Sequence, residues 1–302
     1  MSDLNGQTMG TAWSARFYRD AALDDRDIQD QFEQLFSQSI SEFSNWEDSS
    51  TISRFNRAKA GEIFEIPEGF ASILSAALEL AHLTDGAFNP CLGSYTKDLE
   101  FGPGGNGQPQ VEASADWKGL DWDASSGQLH QSGNVMLDLS AIAKGYVVDG
   151  MAEILEQCGI QNFLVEIGGE YVGRGVKADR TPWWVDVETV AGGEDVFVAA
   201  LHGLAVASSG NSNRFLATGG NRMSHIIRNT CDHDRQLASV TVFHNSCMWA
   251  DAWATALFSL EAAKGKTIAE EQGLTALFQV SGGGFFITPG LSKMMDLSPV
   301  TQ

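Results

Sequence analysis

The chain has 302 residues, 43% of them hydrophobic and 10% aromatic, so it can bury a large core in one elaborated domain or two close lobes. It carries 39 acidic against 19 basic side chains, a formal net charge of -20. Binding to a phosphate backbone or to an anionic membrane surface depends on clustered lysine and arginine. The composition therefore argues against nucleic acid and anionic membranes as partners.

Targeting and membrane signals are missing from the sequence. No stretch approaches the roughly 20 apolar residues that a membrane helix needs, and no basic segment with a following apolar run opens the chain. We therefore expect no membrane span, and a cytoplasmic protein if Met1 is the natural start. A chain trimmed from an exported precursor would be periplasmic instead. Since no repeat or clear linker divides the sequence, residues 1–302 are predicted to form a single domain.

Two apolar stripes in the first third of the chain recur at three- and four-residue steps and predict amphipathic helices that face the core. The first consists of Ile28, Phe32, Leu35, Phe36, Ile40 and Phe43, and the second of Phe70, Ile73, Leu74, Leu78 and Ala81. Residues 102–107 read GPGGNG and match the pattern GxGxxG, but polar QPQVEAS follows. A dinucleotide-binding fold needs a buried helix there, so this segment is interpreted as a surface loop.

The segment LDLSAIAKGYVVD, residues 137–149, is predicted to join a strand to a helix. Residues 135–137 read as a short buried strand, and from Ser140 apolar residues recur at helical spacing until Gly159, a glycine stop. Asp138 lies just before the helix start, with Ala141 and Lys144 three residues apart on one face. The free backbone groups of a helix start, a carboxylate and a lysine can organise a cation or a phosphate. Alternatively, Asp138 only caps the helix and Lys144 is a solvated side chain.

The last third of the chain mixes strands with one more amphipathic helix. Alternating side chains between residues 183 and 206, and the runs 239–243 and 276–280, predict antiparallel strands. Together with the segregated helices they indicate an α+β class with a mostly antiparallel sheet. Residues 250–257, ADAWATAL, are predicted to open a helix that continues to Gly265.

Asp251 and Thr255 are four residues apart on that helix and share a face. A hard cation such as Mg²⁺ takes oxygen ligands, which a carboxylate and a hydroxyl at this spacing can supply, leaving positions for water and phosphate oxygens. Alternatively, Asp251 is an N-terminal aspartate that satisfies the helix dipole and Thr255 merely packs.

Eight segments, taken together, resemble the ApbE family of flavin transferases, the FAD:protein FMN transferases. In chain order they are GQTMGTAW (6–13), FSNWEDSSTISRFN (43–56), TDGAFNP (84–90), LDLSAIAKG (137–145), LVEIGGEYVGRG (164–175), ASSGNSNRF (207–215), SHII (224–227) and ADAWATAL (250–257). The likeness extends from about Thr8 to about Phe286. It implies an ApbE-like α+β fold and a Mg²⁺-dependent cleavage of FAD, in which FMN is transferred to a threonine or serine hydroxyl of a target protein and AMP is released.

The resemblance also implies roles for individual residues. FAD would be contacted by Met9, Trp46, Ala87, Phe88, Asn89, Asp138, Lys144, Ile226 and Ile227. The metal would be held by the carbonyl of Ala141 and the side chains of Asp251 and Thr255, and His225 would be the acid-base group. Because FAD carries two negative phosphates and this chain is acidic, Mg²⁺ and Lys144 would supply the positive charge that the site needs.

Two positions depart from the family pattern. Arg228 follows SHII where the family has aspartate, and Asn89 ends the GAF segment where the family has aspartate. Two alternatives therefore stand beside FMN transfer: a FAD pyrophosphatase that forms FMN and AMP, and a FAD-binding protein with weakened catalysis. Targets of the family carry a Ser/Thr-Gly-Ala-Thr-type segment. This chain has no obvious one, so its acceptor is expected to be another protein.

Overall fold

The computed structural model describes residues 1–19, 23–98, 116–133, 135–187, 197–210, 215–218, 221–224 and 237–295. The α-helices in these ranges are α1 (Asp25–Phe43), α2 (Thr51–Arg57), α3 (Glu68–Leu83), α4 (Gly93–Asp98), α5 (Ser140–Gln157), α6 (Cys247–Phe258), α7 (Ala262–Glu271) and α8 (Pro289–Met294). The strands are β1 (Ser2–Thr8), β2 (Thr11–Phe17), β3 (Ile63–Glu65), β4 (Asp121–Asp123), β5 (Gln128–His130), β6 (Phe163–Ile167), β7 (Glu170–Arg174), β8 (Trp183–Val187), β9 (Phe197–Leu201), β10 (Leu204–Gly210), β11 (Phe215–Thr218), β12 (Asn221–Ser224), β13 (Leu237–His244), β14 (Thr275–Val280) and β15 (Phe285–Ile287).

An antiparallel sheet of eight strands, in the order β1-β2-β6-β7-β10-β13-β14-β15, forms the centre of the fold. The pairs β8-β9 and β11-β12 and the three strands β3-β5-β4 form separate small sheets. The α+β class and the mostly antiparallel sheet expected from the sequence are therefore confirmed.

Side chains of the central sheet alternate between two apolar layers, as the two-residue period of a strand requires. In β6, Phe163, Val165 and Ile167 pack among residues of α1 and α5. Leu164 points to the other layer, which contains residues of β8, β9 and α8. A third apolar cluster joins α2, α3, α5 and α6 to β13 and β14. The sheet thus lies between a helical layer and the β8-β9 hairpin.

The two apolar stripes near the start of the chain form α1 and α3, as predicted. Their buried members include Phe32 and Phe36 in α1 and Ile73 and Leu74 in α3. The predicted helix after Ser140 is also confirmed, because α5 ends at Gln157 and Gly159 follows with φ +77°. Predicted strands in the ranges 183–206, 239–243 and 276–280 correspond to β8, β9, β10, β13 and β14.

The short strand predicted at residues 135–137 is wrong. This segment is extended but belongs to no sheet, because a side chain takes the place of a neighbouring strand. The Asn56 amide donates to the Leu137 carbonyl (2.9 Å), and its oxygen accepts from the Leu137 N–H (2.7 Å). Asparagine can do this because its side chain carries the same donor and acceptor pair as a peptide group.

The single helix predicted from Ala250 to Gly265 is also wrong. The helix begins earlier, at Cys247, and ends at Phe258, and α7 is a separate helix. The Ser259 hydroxyl donates to the carbonyl of Ala256 (2.7 Å) in the last turn of α6. Glu261 then takes an extended conformation, which breaks the helical path although the apolar spacing continues.

Within the part of the chain that the structure describes, no helix has both the length and the apolar character needed to cross a membrane.

Candidate functional site

Two hairpin turns lie side by side at one end of the central sheet. The turn between β1 and β2 is Met9-Gly10, with φ of +48° and +76°, and the turn between β6 and β7 is Gly168-Gly169, with φ of +61° and +102°. Two-residue hairpin turns favour such left-handed residues, and glycine adopts them without strain. The N–H of Gly168 donates to the carbonyl of Ala12 (3.1 Å), which fixes one turn against the other. Met9 is half-buried at this end.

Helices α5 and α6 are in close contact at Gly145. A β-carbon at this position would clash with the carbonyl of Cys247, so the contact requires glycine. The N–H of Gly145 donates to Oδ2 of Asp251 (3.0 Å), and the same N–H is the regular helical partner of the Ala141 carbonyl. Two of the predicted metal ligands, Ala141 and Asp251, are therefore brought to the same turn of α5.

Asp251 does not cap its own helix, so the alternative interpretation of this residue is wrong. It lies in the second turn of α6, is 3% exposed, and bonds to α5. Ser246 is the N-cap residue and accepts from the N–H of Trp249 (3.4 Å). One turn beyond Asp251, the hydroxyl of Thr255 is 3.0 Å from that of Ser209 on β10. The structure thus places the third predicted ligand on the same face of α6.

Lys144 is not a solvated side chain. Its ammonium Nζ is 2.7 Å from Oε1 of Glu170 and 3.7 Å from Oδ1 of Asp251. The lysine side chain is 29% exposed and both carboxylate side chains are 4% exposed. An ammonium carries three N–H donors, and Glu170 occupies one of them. Lys144 is therefore anchored on its buried side and remains accessible on the other.

Burial and charge act in opposite directions on these three groups. Burial raises the pKa of Glu170 above its ordinary value, Lys144 opposes this shift, and the nearby Asp251 adds to it. Burial likewise raises the pKa of Asp251, while Lys144 and the Gly145 N–H oppose the shift. Burial alone would lower the pKa of Lys144, but Asp251 and Glu170 outweigh it and the pKa is raised. A single ammonium is thus the positive charge beside two buried carboxylates, so the cluster attracts further positive charge.

This cluster predicts a pH dependence of stability in the absence of divalent cations. Because the pKa of Glu170 is raised above its ordinary value of 4.5 in the folded protein, Glu170 loses its proton at a higher pH in the folded protein than in the unfolded chain. The free energy of unfolding should therefore fall as pH rises above about 5, until Glu170 ionises in the folded protein as well. Urea unfolding in EDTA measures it. Glu170→Gln should show a flatter slope, and an unchanged slope in that variant would contradict the assignment.

Asp138 lies one residue before Leu139, the N-cap residue of α5, and is not the helix cap that the sequence suggested as one alternative. Its Oδ1 accepts from the N–H of Ser140 (2.9 Å), and its own N–H donates to the carbonyl of Pro90 (2.8 Å). The side chain is half-buried. The contact fixes Asp138 at the start of α5 and engages one of its two carboxylate oxygens.

The GAF segment is attached to the end of α6. The carbonyl of Ala87 accepts from the Ser259 hydroxyl (2.9 Å), and Phe88 is 3% exposed within the hydrophobic core. The side-chain oxygen of Asn89 accepts from the N–H of Cys91 (2.8 Å). An aspartate oxygen would accept the same bond, so asparagine preserves this turn, while it removes the negative charge and replaces the second oxygen with an NH₂ donor.

Trp46 lies on the turn between α1 and α2 and is 67% exposed. The preceding Asn45 donates through its amide to the carbonyl of Leu137 (3.4 Å), and the Asn56 amide donates to the Asn45 oxygen (3.0 Å). These bonds hold the Trp46 turn beside the chain that leads into Asp138. A large exposed indole next to the start of α5 is suited to stacking on a planar ligand.

Three residues of the SHII segment and the residue after it lie outside the described residues. They are the predicted acid-base residue His225, the predicted flavin contacts Ile226 and Ile227, and the departure Arg228. The GPGGNG segment, residues 102–107, lies outside them as well.

Sequence reasoning missed two acidic residues at the site. Asp149 accepts from the N–H groups of Cys247 (2.8 Å) and Met248 (2.9 Å), so α5 itself holds the start of α6. Glu170 lies at the start of β7 and anchors Lys144. Asp149 belongs to the segment 137–149 and Glu170 to the segment 164–175. The position of Asp149, four residues after Gly145, could have indicated that both lie on the same face of the helix. The partner of Glu170 is 26 residues away in the chain, so no local pattern revealed it.

Comparisons with known proteins identify the family of this chain. A model of the ApbE family matches residues 9–278. The chain is 31% identical to the FAD:protein FMN transferase of Haemophilus influenzae, over 99% of this chain and 92% of the relative. It is 28% identical to the FAD:protein FMN transferase of Escherichia coli K12, over 94% of this chain and 86% of the relative.

Solved structures show the same fold. The apo flavinyl transferase ApbE of Pseudomonas stutzeri superposes with a TM-score of 0.85 at 27% identity, over 97% of both chains. The flavin transferase ApbE of Vibrio cholerae gives a TM-score of 0.84 at 27% identity, over 97% of this chain and 98% of the other. Sequence and structure agree over nearly the whole length, and the chain belongs to the ApbE family.

Proposed function

We propose that this protein is an FAD:protein FMN transferase that cleaves FAD and attaches FMN to a threonine or serine hydroxyl of a separate acceptor protein. The observation that carries the proposal is the convergence of Lys144, Asp251 and the first turns of α5 beside two glycine-containing hairpins. Relatives bearing this activity in their names match almost the whole chain. The acceptor would present a segment of the Ser/Thr-Gly-Ala-Thr type.

The donor set fits Mg²⁺. A carboxylate from Asp251, a hydroxyl from Thr255 and the carbonyl of Ala141 are all oxygen donors, which hard cations prefer. Three protein donors leave the remaining positions to water and phosphate oxygens, as is usual for Mg²⁺ at phosphate-transfer sites. When bound there, Mg²⁺ would neutralise negative charge on the FAD pyrophosphate.

The chain's own residues would bind FAD and take up the proton of the acceptor hydroxyl. Lys144, fixed by Glu170, would place its free N–H groups against the phosphates, and Trp46 would lie along FAD. The acceptor hydroxyl oxygen attacks the phosphorus that bears riboflavin, the bond from this phosphorus to the bridging oxygen breaks, and AMP leaves with that oxygen. His225 would take the hydroxyl proton. The products are an FMN phosphoester on the acceptor and AMP.

Product analysis distinguishes transfer from hydrolysis. The purified protein is incubated with FAD and Mg²⁺, with and without an acceptor peptide, and AMP and FMN are separated by chromatography. We expect AMP without an equal amount of free FMN when the peptide is present, and little turnover when Mg²⁺ is removed by EDTA. Equal amounts of AMP and free FMN, independent of the peptide, would identify a FAD pyrophosphatase instead. FAD binding without any AMP would identify a binding protein.

A further inference from the structure

The Lys144 ammonium forms ion pairs with two buried carboxylates but lies within hydrogen-bond distance of only one of them. Its Nζ is 2.7 Å from Glu170 and 3.7 Å from Asp251. The longer distance is that of an ion pair without a hydrogen bond, so a small rotation of the lysine side chain would bring the ammonium into hydrogen-bond contact with Asp251. Glu170 is thus the group that holds the ammonium on its present side.

Glu170 is well suited to hold a fixed position. It is the first residue of β7 and pairs with Ile167 across the Gly168-Gly169 turn, which is itself bonded to β2. The residue is 3% exposed, and its Oε2 has no hydrogen-bond partner among the described residues. A buried carboxylate with an unpartnered oxygen opposes folding, so packing alone does not account for this residue.

An ammonium in direct contact with Asp251 would obstruct a cation there. It would occupy a carboxylate oxygen, and in a buried setting it would repel a second positive charge strongly. Glu170 draws the ammonium toward β7 and compensates its charge. Asp251 then keeps one oxygen for the N–H of Gly145 and leaves the other facing the gap of 3.7 Å.

We propose that Glu170 is a positioning residue that holds the Lys144 ammonium off Asp251 and thereby keeps the Asp251 carboxylate open to a divalent cation. This inference rests on the proposed cation site of the FMN transferase. It assigns to Glu170 a task that involves neither FAD nor the acceptor directly.

The test measures the affinity for Mn²⁺ alone, by calorimetry and electron paramagnetic resonance, without FAD. Glu170→Gln should weaken Mn²⁺ binding about tenfold or more, as expected for coupled neighbours. Glu170→Asp keeps the charge but withdraws the carboxylate by one methylene, and should weaken binding as well.

Glu166→Gln is the matched control. This carboxylate lies on the same hairpin and accepts from Ser14 and the backbone of Gly169. It should change the affinity less than about twofold.

The Lys144→Met background separates positioning from simple loss of charge. If Glu170 acts by holding the ammonium, Glu170→Gln has almost no further effect on Mn²⁺ affinity once Lys144 is gone. An equal loss with and without Lys144, or full affinity in Glu170→Asp and Glu170→Gln, overturns the proposal. Absence of Mn²⁺ binding to the wild type overturns the cation site itself, and this inference with it. Thermal unfolding of each variant confirms that folded proteins are compared.

Discussion

Asp251→Asn is expected to abolish FAD turnover while the protein stays folded. Asparagine can still accept from the N–H of Gly145, and Lys144 retains Glu170, so the α5-α6 contact survives. What disappears is the only side-chain carboxylate among the predicted metal ligands. Because a bound cation contributes several kcal/mol to phosphate chemistry, the rate should fall on the order of a thousandfold.

The measurement is the rate of AMP release per folded molecule at saturating Mg²⁺, with thermal unfolding recorded in parallel. Glu270→Gln is the matched control, since this carboxylate on α7 pairs with Lys266 away from the site. Its rate should equal that of the wild type. If Asp251→Asn also keeps the wild-type rate, Asp251 only joins the two helices and the assignment of the metal ligand is wrong.

Lys144→Met is expected to weaken FAD binding while riboflavin binding is unchanged. The ammonium is proposed to meet phosphate, and riboflavin has none. A charge-assisted hydrogen bond is worth about 1.5–3 kcal/mol, so the dissociation constant for FAD should rise about 10- to 100-fold. Calorimetry with both ligands measures the difference.

Removing Lys144 alone leaves two buried carboxylates without their cation, which can destabilise the protein by several kcal/mol. The double variant Lys144→Met and Glu170→Gln removes one of these carboxylate charges and should recover stability without recovering FAD affinity. Lys266→Met deletes one exposed charge on α7 and serves as the control. Equal weakening of FAD and riboflavin would show that Lys144 does not contact the phosphates.

Local periodicity was enough to predict two of the long helices. The stripe from Ile28 to Phe43 and the run after Ser140 became α1 and α5, because apolar side chains at helical spacing face the core. It failed where a side chain replaced backbone pairing, as Asn56 does at Leu137. It also failed where a hydroxyl ended a helix inside a continuing apolar pattern, as at Ser259.

The partners of the site residues were beyond local reasoning. Nothing near Lys144 in the sequence indicates Glu170, because the ion pair depends on β7 lying beside α5. The hydrogen bond from Gly145 to Asp251 likewise spans 106 residues. Spacing alone left Asp251 as a helix cap or a metal ligand. The cap is excluded because α6 begins at Cys247 with Ser246 as its N-cap residue, which places Asp251 in the second turn.

The central claim is that this protein moves FMN from FAD onto a hydroxyl of another chain. Intact-mass spectrometry of a Ser/Thr-Gly-Ala-Thr-type acceptor peptide after incubation with the protein, FAD and Mg²⁺ tests it most directly. We predict that the peptide gains the mass of FMN less one water, that AMP appears in equal amount, and that a peptide with valine in place of the acceptor threonine gains nothing. AMP release with an unmodified peptide mass would contradict the claim.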